Sequence, residues 1–211
     1  MGQRYKDKET RIYEIRKAAK KVFSEKGLLL ATVDEIAVEA GIGKGTIYEY
    51  FKNKEDLYLS LMEPATEKIT NEVIVFSEKL KGLNSYNCFE ILMGFMKIFY
   101  DWYESDVENF NVVSTVHNGA LITKMSPETL NRINIIGAKG FKTIRSIIRT
   151  AQKKGNIKKK FKDVVIAHLI YSTFLGVVLY EQNKKNITHK DHIYKTLEQA
   201  FLILSAGLCS K

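Results

Sequence analysis

The stretch from Thr32 to Phe51, TVDEIAVEAGIGKGTIYEYF, carries the residue types and spacings with the clearest chemical use. Two short helices crossing at a steep angle need a small residue where their backbones approach. They also need a residue tolerant of positive φ in the turn, and apolar side chains that clamp the pair. Ala37, Gly41 and the set Ile36, Ile42 and Ile47 meet these needs in order. The second helix of such a pair projects from the body and can enter the major groove of DNA. Catalytic chemistry finds no comparable support. His117, His168, His189 and His192 form no metal-ligand spacing; His189 and His192 lie three apart at the exposed start of the last predicted helix, without an accompanying carboxylate constellation. There is no G-x-S-x-G, no P-loop and no dinucleotide fingerprint. The expectation is a protein that is not an enzyme, with no metal and no cofactor.

The elements that must position this stretch read as helices throughout. Only two prolines occur in 211 residues, and apolar side chains recur three and four apart rather than in alternation, so the fold class is all-α. A first helix is predicted from Lys8 to Lys26, with Ile12, Ile15, Ala19, Val22 and Phe23 on one face and Gly27 as its stop. Thr32 and Glu35, three apart, form a capping box for the second helix, which Gly41 ends. Beyond Lys54, a fourth helix carries Leu57 and Leu61, is kinked or broken at Pro64, and resumes with Ile69, Val73, Phe76 and Leu80. This segment is expected to link two domains, 1–54 and 55–211.

In the second domain, Tyr86 to Glu104 is apolar nearly all round and must be central. A long helix is predicted from Pro127 to Lys154 with Ser126 as cap, bearing Lys139, Lys142, Arg145 and Arg149 outward. The lysines at 153, 154, 158, 159, 160 and 162 read as a solvated loop. The last two helices are predicted over Asp163–Lys184 and Thr188–Leu208. Both carry more apolar surface than one domain can cover, which makes them the expected homodimer surface.

A formal net charge of +9 fits an anionic partner, and residues 1–54, with twelve Lys/Arg against eight Asp/Glu, are the denser part. The opening residues have no apolar core and give no signal peptide, so the expected location is cytoplasmic. The apolar run Leu169–Tyr180 is too short to span a bilayer, and no membrane partner is expected. Cys88 and Cys209 are too few and too distant in sequence for a disulfide framework and are read as reduced.

The run from Ala31 to Leu57, ATVDEIAVEAGIGKGTIYEYFKNKEDL, resembles the TetR family of transcriptional regulators. It has the family's order of a capping Thr, a D-E-I-A helix, an A-G turn, a K-G-T-I-Y recognition helix, and Y-F followed by K-N-K-E. The resemblance is confined to about the first 60 residues. It implies that Lys44, Gly45, Thr46, Tyr48 and Tyr50 face DNA. Lys44 suits a guanine edge or a phosphate, Gly45 a close backbone approach, and the three hydroxyls phosphate oxygens. Thr32 and Lys54 are expected to clamp flanking phosphates, and Lys52 is read either as a further phosphate contact or as a solvated surface lysine. Gly43 replaces the Ser that caps the recognition helix in many members, and Glu49 places a carboxylate in the groove-facing region.

The resemblance further implies a dimer formed by four helices across a two-fold axis, an inverted-repeat operator of double-stranded DNA, and repression relieved by a small-molecule effector. The expected effector pocket draws on Phe95, Phe99, Trp102, Tyr103, Phe110, His117, Tyr171 and Phe174, whose aromatic weighting favours an apolar ligand, flat or long-chain. The alternative is a helical small-molecule-binding or interaction protein without DNA binding.

Overall fold

A computed structural model describes residues 2–83, 85–115, 123–124 and 126–210, with the backbone alone for 2–7 and Thr115. The described elements are helices: α1 (Gly2–Leu30), α2 (Val33–Ala40), α3 (Lys44–Tyr48), α4 (Lys54–Ser60), α5 (Met62–Gly82), α6 (Cys88–Ser105), α7 (Val107–Thr115), α8 (Pro127–Lys153), α9 (Asp163–Thr188) and α10 (Ile193–Leu208). The sole β pairing among the described residues is one isolated bridge between Ile157 and Cys209. The chain forms two compact units, Met1–Thr66 with Val107–Ile135, and Glu67–Asp106 with Ile136–Lys211.

In the first unit, α1 packs on α2 and α4, and α2 on α3. Ile15, Ala18, Ala19, Val22 and Phe23 of α1 are buried, the face that helical periodicity marks out. The Phe23 ring meets Tyr58 of α4 edge-on at 5.0 Å. Helix α1 begins earlier than expected, and Gly27 interrupts it rather than ending it. With φ 70 and ψ 169, Gly27 breaks the helical path, and one short turn to Leu30 follows. The break predicted at Pro64 falls three residues ahead of it. Helix α4 ends at Ser60 with Leu61 as its cap, α5 starts at Met62, and Pro64 sits in the first turn of α5, where its missing N–H removes no helical hydrogen bond. Helix α7 has no counterpart in the sequence expectations.

The second unit is built on α6, α9 and α10, which pack on one another. Asn87 starts α6 two residues later than the apolar pattern implies. Its Oδ1 accepts from the Glu90 N–H at 2.9 Å, and Glu90 Oε2 accepts from the Asn87 N–H at 2.8 Å. Gly94 on α6 lies against the Phe76 ring of α5, in space that any Cβ would occupy. Ser126 Oγ accepts from the Thr129 N–H at 3.2 Å and caps α8 as expected. Helix α9 runs on to Thr188 instead of Lys184, closed by His189 in the left-handed conformation at φ 56. Helix α10 therefore begins at Ile193 rather than Thr188.

Helix α9, at 26 residues, is long and apolar enough to cross a membrane by length and composition, which the shorter run Leu169–Tyr180 is not. Ile166, Ile170, Phe174 and Val178 nonetheless pack inward on α6 and α10, and Glu181 is buried among them, as in the core helix of a folded protein. The two cysteines correct the sequence expectation. Cys88 and Cys209 form a disulfide, with Cα atoms 5.4 Å apart across a sequence separation of 121. Spacing in sequence cannot show this pairing. The packing of α10 on α6 brings the first residue of one helix to the last turn of the other.

Candidate nucleic-acid interface

Local signals fix the start and stop of α2. Thr32, extended at φ −118 and ψ 154, accepts the Glu35 N–H on Oγ1 at 3.3 Å, and Glu35 Oε2 accepts the Thr32 N–H at 3.0 Å. Lys26 Nζ donates to Glu35 Oε1 at 2.7 Å, and this ammonium, followed by the Thr32 N–H, holds the Glu35 carboxyl below its ordinary value. Gly41 adopts φ 66 and ψ 32, which lets its own N–H reach Val38 O and the Ile42 N–H reach Ala37 O, both at 3.1 Å.

Helix α3 starts without a side-chain cap at Gly43, as its sequence implies. Ile47 is the buried residue of this five-residue helix and pins it to the body. The rest of its surface is turned out. Lys44, Gly45 and Glu49 are exposed, Tyr48 retains 47% of its accessible area, and Thr46 and Tyr50 are half-buried. A Cβ added at Gly45 would meet nothing within 4 Å, so this glycine leaves open space rather than serving a contact inside the protein. One cation, two hydroxyls and an unobstructed backbone on one short helix can hydrogen-bond phosphates and base edges.

Three partners of this surface escaped sequence reasoning. Asp34 Oδ2 holds Lys44 Nζ at 2.7 Å, and this hydrogen bond raises the lysine above its ordinary value. Lys54 does not extend into solvent. Its Nζ donates to Ala31 O at 2.8 Å and Leu29 O at 3.3 Å, capping the carbonyls that α1 leaves open. Asp56 is 1% exposed; it accepts the Lys52 N–H at 3.0 Å and the Ser126 N–H at 2.8 Å, while Asn53 Oδ1 caps α4 by accepting the Asp56 N–H at 2.7 Å. The Asn53–Asp56 spacing is a capping signal legible in the sequence. The Asp34–Lys44 and Lys54 contacts depend on how the helices cross. Thr32 and Lys52 are exposed.

The residues expected to line an effector pocket divide. Phe95, Phe99, Trp102, Tyr171 and Phe174 form one aromatic cluster in the second unit. Phe99 lies 5.2 Å from Phe174 and 5.9 Å from Tyr171, and Trp102 lies 6.2 Å from Phe174. Phe76 adds an edge contact to Phe95 at 5.4 Å. Burial pushes the Tyr171 phenol up to about 12. Tyr103, also buried, pairs with Tyr100 at 6.2 Å. Phe110 belongs to α7 in the first unit, and His117 lies outside the described residues. A cavity of about 590 Å³ opens in the first unit, lined by Ile12, Arg16, Leu61, Pro64 and Arg132 among others.

Residues 15–61 match the model of bacterial regulatory proteins of the tetR family. Residues 15–61 are a TetR-family segment. This TetR-family match covers all of α2, α3 and α4 and the part of α1 from Ile15 onward. Outside it, likeness becomes structural. A fatty acid metabolism regulator protein of Bacillus subtilis is 45% identical over 58 residues, which are 28% of this chain and 30% of that protein. The matched stretch is thus under a third of the length of that relative. The fatty acid degradation regulator FadR of Bacillus halodurans superposes with a TM-score of 0.68 at 22% identity, over 92% of this chain and 98% of its own. FadR of Bacillus subtilis, solved in complex with stearoyl-CoA, gives a TM-score of 0.59 at 24% identity over the same shares. The whole chain therefore has the fold of TetR-family regulators, an N-terminal helix-turn-helix followed by a helical C-terminal region.

Proposed function

We propose that this chain is a ligand-responsive transcriptional repressor that binds an inverted-repeat operator as a homodimer and is released by a small apolar effector. The observation that carries the reading is α3, a projecting helix held by Ile47, with Lys44, Gly45, Thr46 and Tyr48 turned outward and open space over Gly45. Residues 1–54 supply the DNA contacts and 55–211 the effector and dimer surfaces. Thr32, Tyr50, Lys52 and Glu49 flank the central contacts. Lys54 acts chiefly by bracing the α1–α2 turn, and its part in phosphate binding falls to its backbone.

Dimer formation is supported by a stripe on α9. Val165, Leu169, Ser172, Gly176 and Tyr180 recur at i, i+4, i+7, i+11 and i+15, and all are exposed, as is Ile203 of α10. A helix face of this kind requires a second surface to cover it, and small residues at 172 and 176 admit a close helix crossing. The effector we infer is a long-chain acyl thioester. Support comes from the aromatic cluster of Phe95, Phe99, Trp102 and Phe174, and from relatives that are fatty acid regulators, one of them a stearoyl-CoA complex. The protein is placed in the cytoplasm, where its DNA is.

The test is selection of an operator from random duplex DNA, followed by binding of wild type, Lys44→Ala and Tyr48→Ala. Loss of one base or phosphate contact should weaken operator binding by roughly tenfold or more, and wild-type affinity should fall steeply with salt. Unchanged affinity in both variants overturns the contacts. Effector binding with no affinity for any duplex makes the chain a small-molecule-binding protein instead.

A further inference from the structure

The net charge of +9 is concentrated in one place. Residues 136–163 hold ten Lys/Arg against the single Asp163, a balance of +9 equal to that of the whole chain, and the remaining residues hold 23 of each sign. Lys139, Lys142, Arg145, Arg149 and Lys153 recur at i, i+3, i+6, i+10 and i+14. At 100° and 1.5 Å per residue they share about a third of the circumference of α8, in a stripe about 21 Å long. Asp163 takes both arginines, at 2.7 Å from Arg145 Nε and 2.9 Å from Arg149 Nε. Lys139, Lys142, Lys153, Lys159 and Lys162 are exposed and form no ion pair among the described residues.

The stripe continues into a loop that is built rather than loose. Gln152 Nε2 donates to Lys158 O at 3.1 Å and Phe161 O at 2.8 Å, and Lys158 N and Ser210 N bond Leu208 O and Asn156 O, both at 3.0 Å. Asn156 Nδ2 reaches Tyr86 O at 2.8 Å, and Ile157 is fully buried. These bonds hold Lys159, Lys160 and Lys162 outward around Phe161, which is 36% exposed with Lys160 Nζ 4.9 Å from its ring centroid.

We propose that this face docks on an anionic lipid surface, with the lysines at the lipid phosphates and Phe161 entering the headgroup layer. A field of ten positive charges whose one carboxylate, Asp163, is taken up by two arginines fits a dense polyanion. The exposed ring between lysines favours lipid over a duplex, because aromatic rings settle at the headgroup level while lysine stems lie along apolar surface with their charges in water. Peripheral docking needs no spanning segment, so it is compatible with the buried packing of α9. The inference rests on neither the operator nor the effector.

The test is co-sedimentation of the full chain, disulfide intact, with mixed phosphatidylglycerol–phosphatidylcholine vesicles and with pure phosphatidylcholine, at low and high salt. Wild type should bind the anionic vesicles, release in salt and ignore the neutral ones. Each lysine near the surface is worth roughly fivefold in partitioning, so the K159Q/K160Q/K162Q variant should lose on the order of 100-fold. Phe161→Ser should lose several-fold on vesicles and nothing on random-sequence duplex DNA. K139Q/K142Q, on the exposed side of α8, repeats the test away from the loop and should also weaken vesicle binding. Binding to neither vesicle, or to both alike, overturns the proposal. So does a triple variant that keeps its vesicle affinity and loses affinity for random-sequence DNA, which would make the face a second phosphate-binding surface for duplex.

Discussion

In α2 the start and stop are set by Thr32, Glu35 and Gly41, three residues within ten positions. In the second unit the junction of α6 with α10 is set by Cys88 and Cys209, 121 positions apart, and that of α6 with α9 by the rings of Phe99 and Phe174. The first region is held by hydrogen bonds between near neighbours, and the second by area buried between distant helices. The consequence is a difference in what a single substitution does. Removing a cap costs a bond at one helix end, whereas removing a core ring costs contacts with several helices at once.

This contrast predicts a ranking. Phe99→Ala should destabilise the fold by about 3–5 kcal/mol, because a fully packed ring leaves a cavity that its neighbours only partly fill. Denaturant unfolding measures it, and a loss under about 1 kcal/mol would mean that the cluster is loosely packed around space for a ligand. Cys209→Ser, or reduction of the wild type, should cost about 2–5 kcal/mol, since the bond closes a loop of more than a hundred residues in the unfolded chain. Equal unfolding midpoints with and without reductant would show that packing alone sets the α6–α10 junction.

Thr32→Ala should cost about 1 kcal/mol, the ordinary value of an N-cap, and should weaken operator binding more than its stability loss explains if its hydroxyl also meets a phosphate. A stability loss with full DNA affinity would confine Thr32 to capping. The smallest effect concerns Asp163. Arg145 and then Arg149 hold its carboxyl below the ordinary value, so the stabilisation is complete at neutral pH, above the unfolded carboxylate value near ~4, and is lost as pH falls through the lower folded value. Side-chain NMR titration should find Asp163 still ionised where free carboxylates are half protonated. A midpoint at the ordinary value would show that the two arginines are solvated instead.

Legibility follows the same division. The capping box, the left-handed Gly41, the uncapped start at Gly43 and the inward face of α1 could all be read from the chain, because each depends on residues within a few positions. The outward set of α3 was legible too, through residue type and order. The Asp34–Lys44 pair, the turning of Lys54 onto Leu29 and Ala31, and the burial of Asp56 against Ser126 were not, since each needs the crossing of separate helices. Composition groups Phe110 with the other aromatics, and the fold puts it in the first unit. Helix ends in the second unit slipped by several residues, because His189 takes a conformation rare for a residue with a side chain.

By itself the sequence determined the helical class and the helix-turn-helix, because helical periodicity, capping and turn chemistry act between near neighbours, while the order of motifs from Ala31 to Leu57 carried the family resemblance. Only the tertiary structure decided that Cys88 meets Cys209, that five of the expected pocket aromatics form one cluster, and that the lysines after α8 stand on a pinned loop around Phe161. Those outcomes depend on which helix faces pack together, a choice made by buried area summed over residues far apart in the chain.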